Sequence, residues 1–279
     1  MTDSPGGPAA ARGSAHRRIE EQAVGRLGAV PRDTAVIRTG RRVEGAHEPE
    51  PTREWIVVVP VKGTAAAKSR LGLDGGRPDG GRPGDARPAE ARPAEARPTE
   101  VAALARAMAL DTVDAAARAA GVAGVLVVTS PEAAADFDAV DALVLVEDRP
   151  AGLASAIGLG LETAAAMGAP GRGTAVLLGD LPALRPEELA AALEAARAHE
   201  RAFVPDAAGT GTTLVTAADG AAHRTAFGPG SAAAHTAAGY RVLDVAAGSG
   251  LRQDVDTAAD LVRLGGRLGP RSRAALASG

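Results

Sequence analysis

The chain has 279 residues, a formal net charge of −3 and a 46% hydrophobic share, of which aromatic residues supply only 2%. Five aromatic side chains cannot build a stacking platform for bases, and a mildly acidic balance disfavours a phosphate-backbone binder or a basic membrane surface, so no nucleic-acid or membrane partner is expected. The absence of cysteine removes disulfides, thiolate metal sites and a cysteine nucleophile.

Residues 1–53 are rich in Gly, Pro, Arg and Glu with short apolar patches such as TAVI. They are expected to form a disordered N-terminal extension, and the opening MTDSPGGPAAARGSAHRR lacks the apolar segment of a signal peptide. No run reaches the roughly 18 apolar residues of a membrane span, so a cytoplasmic location is expected. Order begins at Trp55 with WIVVVPV, a β-branched run suited to a buried parallel strand. Residues 74–98 repeat RP among Gly, Ala, Asp and Glu, and read as a solvated insertion whose prolines block a helix.

From Thr99 helices and strands alternate. TEVAALARAMALDTVDAAARAA is a helix, VAGVLVVTS a strand, and Pro131 opens a short helix. ALVLVED is a strand, AGLASAIGLGLETAAAM a helix, GTAVLLGD a strand, and PEELAAALEAARAHE a helix with Pro186 at its start. AFVPD, TTLVTA, a helix from Ser231, RVLDV and a helix from Thr257 complete the series. This alternation predicts a three-layer α/β/α fold, with a mostly parallel sheet covered on both faces, over one domain spanning residues 54–279.

Four stretches carry candidate chemistry. The first is VPVKGTAAAKSRLG, residues 59–72, which holds Lys62 and Lys68, the only lysines beside 29 arginines. With Gly63, Thr64 and Arg70 they follow the first strand, at the carboxyl end where open α/β sheets bind ligands. Lysine is a compact point charge suited to a phosphate chain in a narrow loop, although the spacing is not that of a Walker loop. The second is AVLLGDLPAL, in which Asp180 ends an apolar strand. A carboxylate placed there beside phosphates is suited to Mg²⁺, while Pro186 starts the next helix too late for Asp180 to cap it. The third is GLRQDVDTAADL. Asp254 and Asp256 alternate around Val255, so an extended backbone points both carboxylates one way, where they repel unless a cation lies between them. The competing role is capping of the terminal helix by Asp256 or Thr257 with Asp260.

The fourth comprises DAAGTGTTLV and AFGPGSAAAH. The glycines of GTGTT would let backbone N–H groups approach a small anion, and Ser231 could cap the following helix beside an anion. His223 and His235 have no partner at metal-ligand or triad spacing and read as surface histidines, and no GxSxG elbow occurs.

Taken in order, VPVKGTAAAKSRL, LLGDLPAL, GTGTTLV, FGPGSAAAH and GLRQDVDTAADL resemble the guanylyltransferases of deazaflavin coenzyme (coenzyme F-420) biosynthesis. These are similar in fold to the nucleotidyltransferases that make activated sugars and molybdenum cofactors. The FGPxS form resembles the actinobacterial type, which implies Mg²⁺-dependent transfer of GMP from GTP to phosphoenolpyruvate with release of pyrophosphate, the product passing to a downstream transferase. The archaeal type implies 2-phospho-L-lactate instead. The resemblance implies that Thr212, Gly228 and Ser231 grip the acid substrate, that Asp180, Asp254 and Asp256 bind metal, and that Lys62, Lys68 and Arg70 belong to the triphosphate loop. Ala154 stands where the family commonly carries asparagine. A nucleotidyltransferase for a sugar phosphate or molybdopterin, and a non-catalytic nucleotide-binding module, are the competing expectations.

Overall fold

The computed structural model describes residues 34–39, 54–61, 98–167 and 171–278, with only the backbone at 34–39 and 98–99. Lys62, Lys68, Arg70 and residues 74–97 of the proline-rich insertion lie outside the described residues, as does the rest of the N-terminal stretch.

Among the described residues, eight strands form one sheet: β1 (Thr34–Thr39), β2 (Trp55–Pro60), β3 (Val122–Thr129), β4 (Leu143–Glu147), β5 (Gly173–Leu177), β6 (Arg201–Pro205), β7 (Thr212–Ala217) and β8 (Arg241–Val242). Their spatial order is β1-β4-β3-β2-β5-β7-β6-β8. The central pairings β4/β3, β3/β2 and β2/β5 are parallel, as is β6/β8. The pairings β1/β4, β5/β7 and β6/β7 are antiparallel, so the sheet is mixed with a parallel centre. The helices are α1 (Pro98–Arg118), α2 (Leu153–Met167), α3 (Pro186–Ala196), α4 (Ser231–Ala237), α5 (Ala258–Leu264) and α6 (Pro270–Ser278), with short 3₁₀ segments at Ala134–Ala139, Gly250–Arg252 and Gly265–Arg267. Among the described residues no helix is long and apolar enough to cross a membrane.

The β-branched runs bury both faces of the central strands, and the two-residue period sorts them into two cores. Trp55, Val57 and Val59 of β2 pack with Val113 and Ala116 of α1 and Leu189 and Leu193 of α3. Ile56 and Val58 pack on the opposite face with Ile157 and Ala164 of α2 and Phe203 and Val215. The three-layer expectation therefore stands.

The expectation of a disordered extension does not hold for residues 34–39, which contain TAVI. They form the edge strand β1, running from Thr34 opposite Glu147 to Thr39 opposite Leu143. A short β-branched patch gains its order from ladder hydrogen bonds to a strand more than a hundred residues away, which local composition does not report. RVLDV contributes only the two residues of β8, and the chain ends in α6, a helix not expected separately.

The chain leaves β2 toward β3 and β4 on one side, then returns past β2 to place β5 on the other. The β2/β5 boundary is thus a topological switch point, the place where open α/β sheets bind ligands beyond the carboxyl edge of the strands. The lysine-bearing stretch follows β2 in sequence and the loop carrying Asp180 follows β5.

Candidate active site

A cavity of about 360 Å³ opens at this switch point. Its wall includes Asp180, Asp254 and Asp256 together with Thr212, Gly228 and Ser231, so six of the nine expected site residues meet in one space. The other three, Lys62, Lys68 and Arg70, lie outside the described residues, although Val61, which immediately precedes Lys62, lines the same cavity. Met108, Phe227 and Val255 supply apolar wall. Ala154 is exposed at the start of α2 and does not line the cavity.

The acid-bearing loops are held by backbone. The Val255 N–H donates to the Asp180 carbonyl at 3.1 Å, and the Leu181 N–H donates to the Thr112 hydroxyl of α1 at 3.1 Å. Gly250 lies so close to the 181–184 turn that a Cβ there would collide with the Ala183 carbonyl, so only glycine allows the two loops to touch. The Gly250 N–H is taken by the Glu188 carboxylate, at 3.1 Å to Oε1. Thr257 is the cap of α5, with Asp260 completing the box. Capping therefore consumes Thr257 and Asp260 and leaves the Asp254 and Asp256 side chains to the cavity.

Burial, followed by the neighbouring Asp256 and Asp206 carboxylates, pushes the Asp254 carboxyl up to about 6. Such a group gains from a nearby cation. Among the described residues no three His, Cys, Asp or Glu side chains stand close enough to hold a metal ion by themselves. The hard oxygen donors and excess negative charge fit a divalent ion whose coordination is completed by substrate oxygens rather than by an all-protein cage.

Asp206 escaped the sequence reading. It directly follows β6, as Asp180 follows β5, and the same signal of an apolar strand followed by aspartate could have marked it. Its Oδ1 accepts from the Thr210 N–H at 3.0 Å and its Oδ2 from the Gly211 N–H at 2.8 Å, while its carbonyl accepts from the Gly209 N–H at 3.1 Å. A Cβ on Gly211 would strike this carboxylate. The GTGT turn thus spends its N–H groups on its own aspartate, which overturns the expectation that they approach an external anion. Two Arg252 nitrogens clamp the Asp206 carbonyl from outside, at 3.2 and 2.9 Å.

Beyond the turn, Thr212 and Ser231 are buried and bonded to each other, Ser231 Oγ donating to Thr212 Oγ1 at 3.1 Å. Ser231 is not a cap. Gly230 occupies that position, and the serine is the first helical residue with its hydroxyl turned to β7. His235, one turn along α4, contacts the same Thr212 oxygen through Nδ1 at 2.9 Å. It is 0% exposed, so the surface reading is wrong for it. His223 is half-buried, its Nε2 2.9 Å from the Thr174 hydroxyl, and desolvation lowers its pKa to about 4. Partners from other segments of the chain cover His235 fully and His223 partly, which spacing rules do not test.

The profile of the MobA-like NTP transferase domain matches residues 101–251. A Sanguibacter keddieii protein named phosphoenolpyruvate guanylyltransferase is 43% identical over 255 residues, covering 78% of this chain and 82% of its own. Proteins of the same name from Streptomyces scabiei and Thermomonospora curvata are 44% and 42% identical, covering 80% and 83% of this chain and 96% and 92% of theirs. In fold the chain is similar to a crystal structure from Desulfovibrio desulfuricans assigned to the nucleotide-diphospho-sugar transferases. That likeness has a TM-score of 0.56 at 16% identity, over 81% of this chain and 95% of that one.

Proposed function

The chain belongs to the phosphoenolpyruvate guanylyltransferases, within the MobA-like NTP transferases, and from that premise we propose that it transfers GMP from GTP to phosphoenolpyruvate. The products are enolpyruvyl-diphospho-5′-guanosine and pyrophosphate, and the diphosphate made would pass to a downstream transferase of coenzyme F-420 biosynthesis. The observation that carries this reading is that one cavity is lined both by the carboxylates Asp180, Asp254 and Asp256 and by the hydroxyl pair Thr212 and Ser231.

An oxygen of the phosphoenolpyruvate phosphate attacks the α-phosphorus of GTP, and the bond from that phosphorus to the β-phosphate bridging oxygen breaks. The attacking oxygen is already anionic, so no general base is required. The protein's task is to align two anions that repel each other. Thr212, Gly228 and Ser231 would hold the acid, and the apolar side chains of Met108, Phe227 and Val255 keep bulk water from the α-phosphorus. Asp180, Asp254 and Asp256 would hold Mg²⁺, which neutralises charge on the triphosphate and the attacking phosphate when bound. Lys62, Lys68 and Arg70 would take up charge on the departing pyrophosphate. Their support is the sequence pattern and the position of Val61 at the cavity's edge.

The test is pyrophosphate release from each nucleoside triphosphate with Mg²⁺ and either phosphoenolpyruvate or 2-phospho-L-lactate, with the product's mass determined. GTP with phosphoenolpyruvate should turn over fastest. No release from that pair, or faster release from another, overturns the assignment.

A further inference from the structure

The hydroxyl pair in the cavity is governed by a histidine. The Ala226 N–H donates to His235 Nε2 at 3.0 Å. A backbone amide can only donate, so Nε2 must carry a lone pair and the imidazole is neutral with its hydrogen on Nδ1. That hydrogen faces Thr212 Oγ1 at 2.9 Å, which makes the threonine oxygen an acceptor there. Burial acts in the same direction, holding the imidazole below its ordinary pKa.

Thr212 and Ser231 own two hydroxyl hydrogens. One is used between them, in the bond from Ser231 to Thr212. Because Thr212 accepts from His235 rather than donating to it, the second hydrogen has no internal partner in the trio. With the opposite tautomer Thr212 would give its hydrogen to Nδ1, and the pair would have none left. The tautomer therefore sets the number of hydroxyl donors available to an anion at one rather than zero.

The ring is held to this task by unusual expenditure. Phe203, Phe227 and Tyr240 surround it with ring centroids 5.6, 5.5 and 5.2 Å away. These are three of the five aromatic residues in the chain. Ser231 and His235 lie four residues apart on α4, so one helical face carries both groups that address Thr212.

We propose, resting on the acid substrate assigned above, that His235 is a positioning residue: as the Nδ1–H tautomer it compels the Thr212–Ser231 pair to present one hydrogen to the cavity, where an oxygen of the substrate's carboxylate or phosphate accepts it. His235 itself does not touch substrate.

Two variants separate this role from simple packing. In His235→Asn the amide Nδ2 overlays Nδ1 and can still donate to Thr212; in His235→Gln the amide overlays Nε2 and cannot. Both leave a similar gap among the three aromatic rings. The Gln variant should raise the KM for phosphoenolpyruvate about ten- to a hundred-fold, the value of a hydrogen bond to a charged group. The Asn variant should retain most of the wild-type value, and the KM for GTP should stay within about twofold in both. In a Thr212→Val background the difference between Asn and Gln should vanish. Nitrogen-15 shifts of the His235 ring in the wild-type protein provide a readout free of turnover and of variant folding, and should report the Nδ1–H form at neutral pH. An Nε2–H form or an imidazolium overturns the role of His235, as does an equal KM in the Asn and Gln variants of an active enzyme. A wild-type protein that releases no pyrophosphate from GTP and phosphoenolpyruvate overturns the substrate assignment itself.

Discussion

The backbone N–H of Val255 donates to the carbonyl of Asp180 at 3.1 Å, joining two acid-bearing loops that are 75 residues apart in the chain. Their side chains can share a cavity because their main chains share a hydrogen bond. Gly250 makes the approach possible. Gly250→Ala should push the 181–184 turn away, costing about 1–3 kcal/mol as overpacking does elsewhere. Its kcat should fall more than either KM. Urea denaturation and steady-state kinetics check this, and a variant with wild-type midpoint and kcat would show that the loops do not depend on the contact.

Asp254 links stability to pH with a definite sign. Its native pKa is raised from 3.8 to about 6. The native state therefore holds more protons than the unfolded chain between these values, so stability from this group is present at low pH and lost as pH rises through about 6. Without metal, Asp254→Asn should melt higher than wild type at pH 7.5 and flatten the decline between pH 4 and 6. The same variant should lose Mg²⁺-dependent pyrophosphate release. Thermal melts at pH 4, 6 and 7.5, beside the activity assay, test the two halves together.

Asp206 organises the GTGT turn through two charge-assisted bonds. Asp206→Ala should free the Gly211 amide to exchange with solvent and shift Thr212, raising the KM for the acid substrate by about tenfold or more. Amide exchange that stays as slow as in wild type would count against this role.

Asp111 provides the contrast of a buried carboxylate with no chemistry. It accepts from the Arg271 N–H at 3.1 Å and from the N–H and hydroxyl of Ser272 at 2.8 and 2.7 Å, fastening α6 to α1. Asp111→Ala should cost about 2–4 kcal/mol through unsatisfied buried donors while leaving both KM values unchanged. A change in KM with unaltered stability would place Asp111 in the site's machinery.

Most of the layered fold was legible because it depends on local pattern. The β-branched run at Trp55–Pro60 and the alternation that follows dictate strands buried on both faces and helices between them. The carboxylates were legible for related local reasons: Asp180 follows an apolar strand, where charge has no packing role, and Asp254 and Asp256 alternate around Val255. Asp206 carried the same signal in a shorter stretch and was passed over.

What the amino-acid sequence determined by itself was most of the elements, the placement of the candidate site residues after apolar strands and the family motifs, all of which depend on neighbours within a turn or a strand. Only the tertiary structure decided that TAVI pairs with β4, that the GTGT amides close on Asp206, and that His235 is sealed among Phe203, Phe227 and Tyr240 with Nδ1 against the Thr212 hydroxyl. Hydrogen bonds and burial are properties of which surfaces meet. Where those surfaces come from distant segments, no local spacing states which donor an acceptor will find.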